Sequence, residues 1–120
     1  ANNPPRQQPE GTKKGDNRMD RKALEKMLEQ GQDNAMLRYT LGNLYLKEGE
    51  PETAIPHLRK ALEFNSQHSA SWKTLGKALM QAEHREEAVD AYTQGINVAE
   101  KLGDIQAAKE MRVFLKRLQQ

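Results

Sequence analysis

Apolar side chains recur at helical spacing along most of this chain, in stretches separated by short polar turns. From residue 18 onward, each stretch places apolar residues on one face of a helix and charged residues on the other. Turn-forming residues follow most stretches, among them Gly31, Gly49, Asn65 and Gly103. The pattern predicts an all-α fold of about six antiparallel helices. Their expected ranges are 18–30, 35–47, 52–64, 70–82, 86–99 and 104–118.

Several residues near the predicted helix ends carry expectations of their own. Pro51 suits the first turn of the third helix, where no amide hydrogen is needed, whereas Pro56 predicts a kink or a later start of that helix. Ser69 or Ser71 is expected to cap the fourth helix, and Asp104 the sixth.

The turn between the fourth and fifth helices lacks the glycine that the preceding hairpin has at Gly49. Glu83 and His84 stand there instead. One of them is therefore expected to adopt a strained or altered turn conformation.

A spacing of 34 residues relates residues 35–68 to residues 69–102. A repeat of this length indicates a repeat architecture, in which each unit buries its apolar face against its neighbours. Identical pairs are Thr40 and Thr74, Leu41 and Leu75, Gly42 and Gly76, Glu52 and Glu86, and Ala54 and Ala88.

These positions resemble the tetratricopeptide repeat (TPR) family, a 34-residue helix-turn-helix with the pattern W-x2-L-G-x2-Y and later small residues. The second copy has Trp72, Leu75 and Gly76, and the first keeps Leu41, Gly42 and Tyr45. The resemblance covers residues 35–102 and is closest to short stand-alone bacterial TPR proteins. It implies a right-handed helical solenoid with a concave groove.

The signature residues are interpreted as packing residues. Gly42 and Gly76 allow a close approach of the paired helix, and Trp72 and Tyr45 fill gaps between helices rather than stacking on a ligand. The sixth helix is expected to cap the array through one apolar stripe. That stripe comprises Ile105, Ala108, Met111, Leu115 and Leu118, widened by Val113 and Phe114.

The domain organisation follows from these elements. Residues 1–17 contain three prolines and almost no apolar side chain, so a disordered tail is expected, either a linker or a short recruitment motif. Residues 18–120 form the TPR domain. Its parts are a partial repeat helix (18–34), repeat 1 (35–68), repeat 2 (69–102) and a capping helix (103–120).

Composition narrows the class of protein. The 19 Lys and Arg against 17 Asp and Glu give a net charge of only +2, which argues against a nucleic-acid partner. The absence of cysteine excludes disulfides and thiolate chemistry, and no apolar run is long enough to cross a membrane. We expect a cytoplasmic location. Because the chain begins with Ala1 rather than Met, a cleaved signal sequence stays open as an alternative.

No constellation of residues indicates catalysis, a metal or a cofactor. His57, His68 and His84 lie on different segments and are interpreted as solvated surface side chains, without metal-ligand spacing. The carboxylates at helix starts complement the helix dipole, and Gly42 and Gly76 lie inside helices rather than in a phosphate-binding loop. The chain is therefore expected not to be an enzyme and to need no cofactor.

The resemblance implies that the groove binds a peptide segment of a partner protein. The lysines suit a carboxylate or an acidic segment, although plain solvation is an equally weighted interpretation. The carboxylate clamp of chaperone-binding relatives is incomplete, since Tyr39 and Thr74 replace its Lys and Asn. Self-assembly through the exposed ends, giving a homo-oligomer, is the alternative function. The predicted groove residues are Met36, Tyr39, Thr40, Asn43, Lys47, Lys73, Thr74, Lys77 and Met80.

Overall fold

The structure, a computed structural model, describes residues 13–120, with side chains from residue 21 onward. Within that range it contains six α-helices and no strand, which confirms the all-α prediction. They are α1 (Lys13–Glu29), α2 (Ala35–Lys47), α3 (Pro51–Phe64), α4 (Ser69–Gln81), α5 (Arg85–Leu102) and α6 (Ile105–Leu118). The chain divides into two compact units, one ending at Asp33 and one comprising Asn34–Gln120, where one domain over residues 18–120 is expected.

The first unit contains α1, which begins at Lys13 rather than near residue 18. Residues 13–17 thus extend the helix and do not belong to the predicted tail. Once a helix is nucleated, adding a polar residue costs little, so no buried face is needed there. Arg21 and Glu25 form an ion pair one turn apart, at 3.6 Å. The remainder of the predicted tail, residues 1–12, lies outside the described residues.

In the second unit, each of the helices α2 to α5 packs against the next, as expected for antiparallel hairpins. In addition, α2 contacts α4 and α4 contacts α6, so these three helices form one row with α3 and α5 behind it. Asn34 caps α2 by accepting a 2.8 Å hydrogen bond from the Leu37 amide. Pro56 lies inside a helix that already begins at Pro51, so a later start of α3 is wrong.

The signature residues form the core of the second unit, as predicted. Leu41, Leu58, Leu75 and Tyr92 are fully buried. A Cβ atom added to Gly42 would lie 2.5 Å from Leu58 Cγ, and one added to Gly76 would lie 2.5 Å from Tyr92 Cε1. Glycine is therefore required where α2 crosses α3 and where α4 crosses α5.

The serines near the start of α4 do not cap it. The N-cap residue is His68, which makes no side-chain capping hydrogen bond. Ser71 Oγ lies 2.7 Å from His68 Nδ1, and Ser69 Oγ donates a 2.7 Å hydrogen bond to Asp104 Oδ2. Asp104 also caps α6, as predicted, by accepting from the Ala107 amide at 3.3 Å. These bonds tie the starts of α4 and α6 together.

The stripe predicted for α6 is only partly correct. Ala108 and Met111 are buried, together with Ala107, but Ile105 is 62% exposed and Val113 is 49% exposed. The fifth helix runs to Leu102, beyond the expected end near residue 99, although α6 still begins after Gly103 and Asp104. Ile105, in its first turn, lies on the outside of the array.

The strained turn expected after α4 is present at Glu83. This residue has a φ of 66°, and Gly49, the matching residue of the preceding hairpin, has a φ of 79°. The left-handed conformation costs a residue with a Cβ atom roughly 1–2 kcal/mol, and glycine avoids most of that cost. Glu83 therefore stores strain in a turn that glycine fits better.

Replacing Glu83 with glycine is expected to stabilise the protein. Glycine removes the strain energy of the left-handed conformation, and this gain is larger than the cost of the extra conformational entropy that glycine gives the unfolded chain. Glu83→Gly should therefore raise the free energy of unfolding, measured by urea denaturation, by about 0.5–1 kcal/mol. The matched control, Gly49→Ala, should lower it by about 1 kcal/mol. A Cβ atom at residue 49 meets no atom within 4 Å, so that loss would be purely conformational. A less stable Glu83→Gly variant would contradict the assignment of strain.

Candidate functional site

The row formed by α2, α4 and α6 presents one shared surface, which we call the inner face. Side chains connect its members directly. The ring of Tyr39 on α2 packs edge-on against that of His68 at the start of α4, with 5.0 Å between centroids. Lys73 on α4 forms an ion pair with Glu110 on α6. Contacts between side chains therefore connect α2, α4 and α6 along the inner face.

The residues predicted to line the groove differ in exposure. A partner can contact only side chains that reach the surface, so exposure decides which of them are candidates. Met36, Lys47 and Lys77 are exposed, Tyr39, Thr40, Asn43, Lys73 and Met80 are half-buried, and Thr74 is buried.

Two of these residues serve the core more than the surface. Thr74 is only 7% exposed. The side chain of Met80 packs against two clusters of buried apolar residues, a first around Leu58 and a second around Met111. Its Sδ lies 3.3 Å from the hydroxyl of Tyr92, which donates to it. Burial raises the pKa of Tyr92, so this hydroxyl remains a donor. Thr74 and Met80 are therefore poor candidates for contact with a partner.

A carboxylate already lies against the basic part of the inner face. Lys73 Nζ is 2.5 Å from Glu110 Oε1, and Gln106 Nε2 donates to Glu110 Oε2 at 3.1 Å. The hydrogen bond from Lys73, followed by that from Gln106 and the charges of Lys73 and Lys77, lowers the pKa of Glu110. Donors fixed on α4 and α6 thus hold an ionised carboxylate.

Lys77 is the more accessible of the two central lysines. Its Nζ lies 5.7 Å from the centroid of the Phe114 ring on α6, a cation–π distance. The positive charge of Lys77 contributes to the lowered pKa of Glu110, but no hydrogen bond joins the two side chains. Lys77 therefore keeps its hydrogen-bond donors available while Lys73 is engaged.

Glu110, Gln106 and Phe114 were not among the predicted groove residues. The repeat alignment ends at residue 102, and the longer α5 shifts α6 by two positions relative to the 34-residue spacing. The distance from the N-cap residue of each helix would have identified Glu110. It lies six residues after Asp104, just as Thr74 lies six residues after His68, so the two residues hold equivalent positions on α6 and α4.

At the other end of the inner face, the start of α2 borders a small depression. It has a volume of about 140 Å³ and is lined by Ala35, Met36, Asn65 and His68. Met36 is 63% exposed, an unusual state for a large apolar side chain. The depression has the size and lining that suit an aliphatic side chain.

Trp72 and Tyr45 pack within the fold, as predicted. The Trp72 ring contacts both apolar clusters, and its indole N–H donates a 2.9 Å hydrogen bond to the Ser66 carbonyl. Tyr45 packs against the first cluster and stacks on the His57 ring, with 5.6 Å between centroids. The aromatic signature positions thus stabilise the array.

The three histidines have partners and are not plainly solvated, which corrects the sequence-based interpretation. His57 is half-buried between Tyr45 and Arg38, whose Nη1 lies 3.1 Å from His57 Nδ1. His84 Nε2 lies 3.1 Å from Glu52 Oε2. Within the described part of the chain, no group of three His, Asp or Glu side chains has the arrangement of a metal site. The inner face therefore offers ammonium, amide and apolar groups for binding.

No helix among residues 13–120 combines the length and the apolar character that crossing a bilayer requires.

Three comparisons place this architecture among known proteins. Residues 21–95 match the family model described as anaphase-promoting complex, cyclosome, subunit 3. TPR repeat-containing protein PA0015 of Pseudomonas aeruginosa is 48% identical over 79% of this chain and 90% of its own length.

Two solved structures share this fold. The solution structure of protein BPP2914 from Bordetella parapertussis is 45% identical, with a TM-score of 0.72, over 82% of this chain and 85% of that chain. YrrB, described as a TPR protein with an unusual peptide-binding site, shares the fold at 23% identity and a TM-score of 0.62, over 88% of this chain and 62% of that chain. With its buried Leu-Gly signature and 34-residue hairpins, the chain belongs to the tetratricopeptide repeat family.

Proposed function

We propose that this protein is a non-catalytic interaction module that binds an acidic peptide segment of a partner protein on its inner face. TPR arrays generally serve as protein–protein interaction modules. In this chain, Lys77 would bind a carboxylate of the segment beside the Lys73–Glu110 ion pair, and Tyr39 and Asn43 would contact its backbone or side chains.

The observation that carries the proposal is the set of hydrogen bonds that the Glu110 carboxylate accepts. Its carboxylate receives hydrogen bonds from Lys73 and Gln106, so the inner face already stabilises one negative charge with fixed donors. Lys77 is exposed beside it and adds a second ammonium group. A partner carboxylate would bind to Lys77, whose ammonium group has no hydrogen bond to Glu110.

The depression beside Met36 supports a second anchor. An extended segment that places its carboxylate near Lys77 would run along the row towards the start of α2. There an aliphatic side chain can enter the space of about 140 Å³ between Met36 and His68. Apolar pockets combined with few polar groups are typical of specific binding sites. YrrB, which shares the fold, is described as a TPR protein with an unusual peptide-binding site, so this fold is compatible with peptide binding.

Charge reversal at Lys77 is expected to reduce partner capture. Lys77→Glu places a carboxylate beside Glu110, so an acidic segment meets repulsion where it found an ammonium group. We expect recovery of bound partners from lysate, read by quantitative mass spectrometry, to fall about tenfold, roughly 1.4 kcal/mol of binding free energy. Lys77 is chosen for substitution because replacing it leaves the ion pair between Lys73 and Glu110 intact.

The matched control is Lys101→Glu, the same charge change at an exposed residue near the end of α5. It should leave capture unchanged, and far-ultraviolet circular dichroism should be the same for both variants and the parent. Equal capture by the Lys77→Glu variant and the parent would remove the inner face as the acidic-peptide site.

A further inference from the structure

The outer side of α6 carries an exposed surface that contains none of the inner-face residues. Five exposed residues recur at helical spacing and occupy one face about 100° wide. Two are aliphatic and three are cationic. They are Ile105, Lys109, Arg112, Val113 and Lys116, which we call the α6 outer face.

The register of α6 shows what this face corresponds to. Leu41, Leu75 and Met111 each lie seven residues after the N-caps Asn34, His68 and Asp104, and all three are buried. α6 therefore occupies the place of the first helix of a third repeat.

In α2 and α4, the residue that follows the buried leucine packs against the second helix of the hairpin. Gly42 there contacts Leu58, and Gly76 contacts Tyr92. In α6 the corresponding residue is Arg112, which is exposed. A helix packed as closely as α3 or α5 does not fit over an arginine, so a helix docked here would lie at a wider spacing.

The charges of the α6 outer face are all of one sign. Arg112 pairs with Glu100 on α5, whereas Lys109 and Lys116 form no ion pair with any residue the structure describes. The single acidic residue of α6, Glu110, lies on the inner face with Lys73. A helix face that is only solvated usually mixes both signs at i, i+4 spacing, as Arg21 and Glu25 do on α1.

Two aliphatic side chains lie among these cations. Ile105 is 62% exposed and Val113 is 49% exposed, and they are separated by roughly 12 Å along the helix axis. This distance matches the spacing of apolar residues two turns apart on a partner helix. Aliphatic anchors flanked by charges are typical of helix–helix recognition.

We propose that the α6 outer face docks an amphipathic helix of a partner protein, one that carries Glu or Asp beside its apolar residues. Ile105 and Val113 contact the apolar residues of this helix, and Lys109 and Lys116 pair with its carboxylates, whereas Arg112 stays paired with Glu100. The site shares no residue with the inner face, although the two faces adjoin on α6.

An acidic helix fits this face better than a membrane does. Interfacial helices bury a broad apolar face in lipid, but the apolar residues Ala107, Ala108 and Met111 of α6 are already buried within the array. Nucleic acid would leave Ile105 and Val113 without apolar partners. Charge complementarity together with the two aliphatic side chains favours a protein helix.

The test uses a designed helical peptide of about 20 residues, with leucines two turns apart on one face and glutamates beside them. Added to the ¹⁵N-labelled full chain, it should shift amide signals of α6 around Lys109 and Val113. The double variant Lys109→Glu, Lys116→Glu should weaken binding about tenfold, and added salt should weaken binding to the parent. Ile105→Ser with Val113→Ser should also weaken it, and both double variants should keep the parent's circular dichroism.

Three controls separate this site from others. A peptide of the same composition, scrambled so that its leucines share no face, should not bind. Lys77→Glu, which impairs the inner face, should leave binding of the designed peptide unchanged. The protein should bind neither phosphatidylserine vesicles nor duplex DNA through α6.

Four results would overturn the proposal: unchanged affinity in both double variants, shifts confined to the inner face, binding of vesicles or DNA in preference to the peptide, or sedimentation showing that a second copy of the chain covers the α6 outer face.

Discussion

Replacing Tyr92 with alanine is expected to destabilise the second unit by about 4 kcal/mol. The Tyr92 side chain is fully buried, packs under Gly76, and lies 5.5 Å from Phe114 between ring centroids. Its removal leaves a cavity where α4, α5 and α6 meet, and aromatic-to-alanine changes in cores cost roughly 3–5 kcal/mol. Thermal denaturation followed by circular dichroism should show a midpoint lower by roughly 15 °C or more.

Tyr92→Phe is the matched control. It keeps the ring and removes only the hydroxyl, whose partner is the weak acceptor Met80 Sδ. Its free energy of unfolding should stay within about 1 kcal/mol of the parent, because one modest hydrogen bond is lost and one buried hydroxyl is removed. If Tyr92→Phe proved as unstable as Tyr92→Ala, the hydroxyl rather than ring packing would hold this junction together.

Much of this core could be predicted from the sequence because each core position of the repeat occurs in two copies along the chain. Leu41 with Leu75 and Gly42 with Gly76 recur at 34 residues, and each copy supports the interpretation of the other. Helix α2 was predicted with its observed ends, since Asn34 and Gly49 mark both of them. The start of α1 was missed because residues 13–17 have no apolar periodicity to mark a helix.

The candidate site was less predictable, because its contacts join residues far apart in the chain. Lys73 and Glu110 are 37 residues apart, and Ser69 and Asp104 are 35 apart. Helical spacing identifies neighbours one turn away, but it does not show which side chain of another helix lies opposite. A lysine interpreted as free for a ligand thus proved to hold a carboxylate of its own chain.

The burial of Thr74 has a simpler explanation. Thr40 and Thr74 are identical in both repeats, beside the buried leucine of each copy. Identity between repeats is expected where packing is the same in each hairpin, whereas binding residues differ when a single ligand crosses both. Tyr39 and Lys73, which differ between the repeats, therefore remain better candidates than the threonines.

The close packing of Gly76 on Tyr92 provides a test in which one substitution should have opposite effects in two backgrounds. In the parent chain, Gly76→Ala places a methyl group 2.5 Å from Tyr92 Cε1 and 2.6 Å from Tyr92 Cζ, and the buried ring has no space to move. Overpacking of this kind costs roughly 1–3 kcal/mol, more than the gain of about 1 kcal/mol that alanine brings inside a helix. We expect the free energy of unfolding to fall by about 1 kcal/mol, the middle of the overpacking range less the gain in helix propensity.

In the Tyr92→Ala background, the same Gly76→Ala substitution should stabilise the protein by about 0.5–1 kcal/mol, because the ring is absent and only the gain in helix propensity remains. Urea denaturation of the parent, both single variants and the double variant gives the coupling between the two sites. We expect it to be about 2 kcal/mol, since residue 76 acts mainly through the aromatic ring packed on it. If Gly76→Ala had the same effect in both backgrounds, the close approach of α4 and α5 would depend on contacts other than the packing of Tyr92 on this glycine.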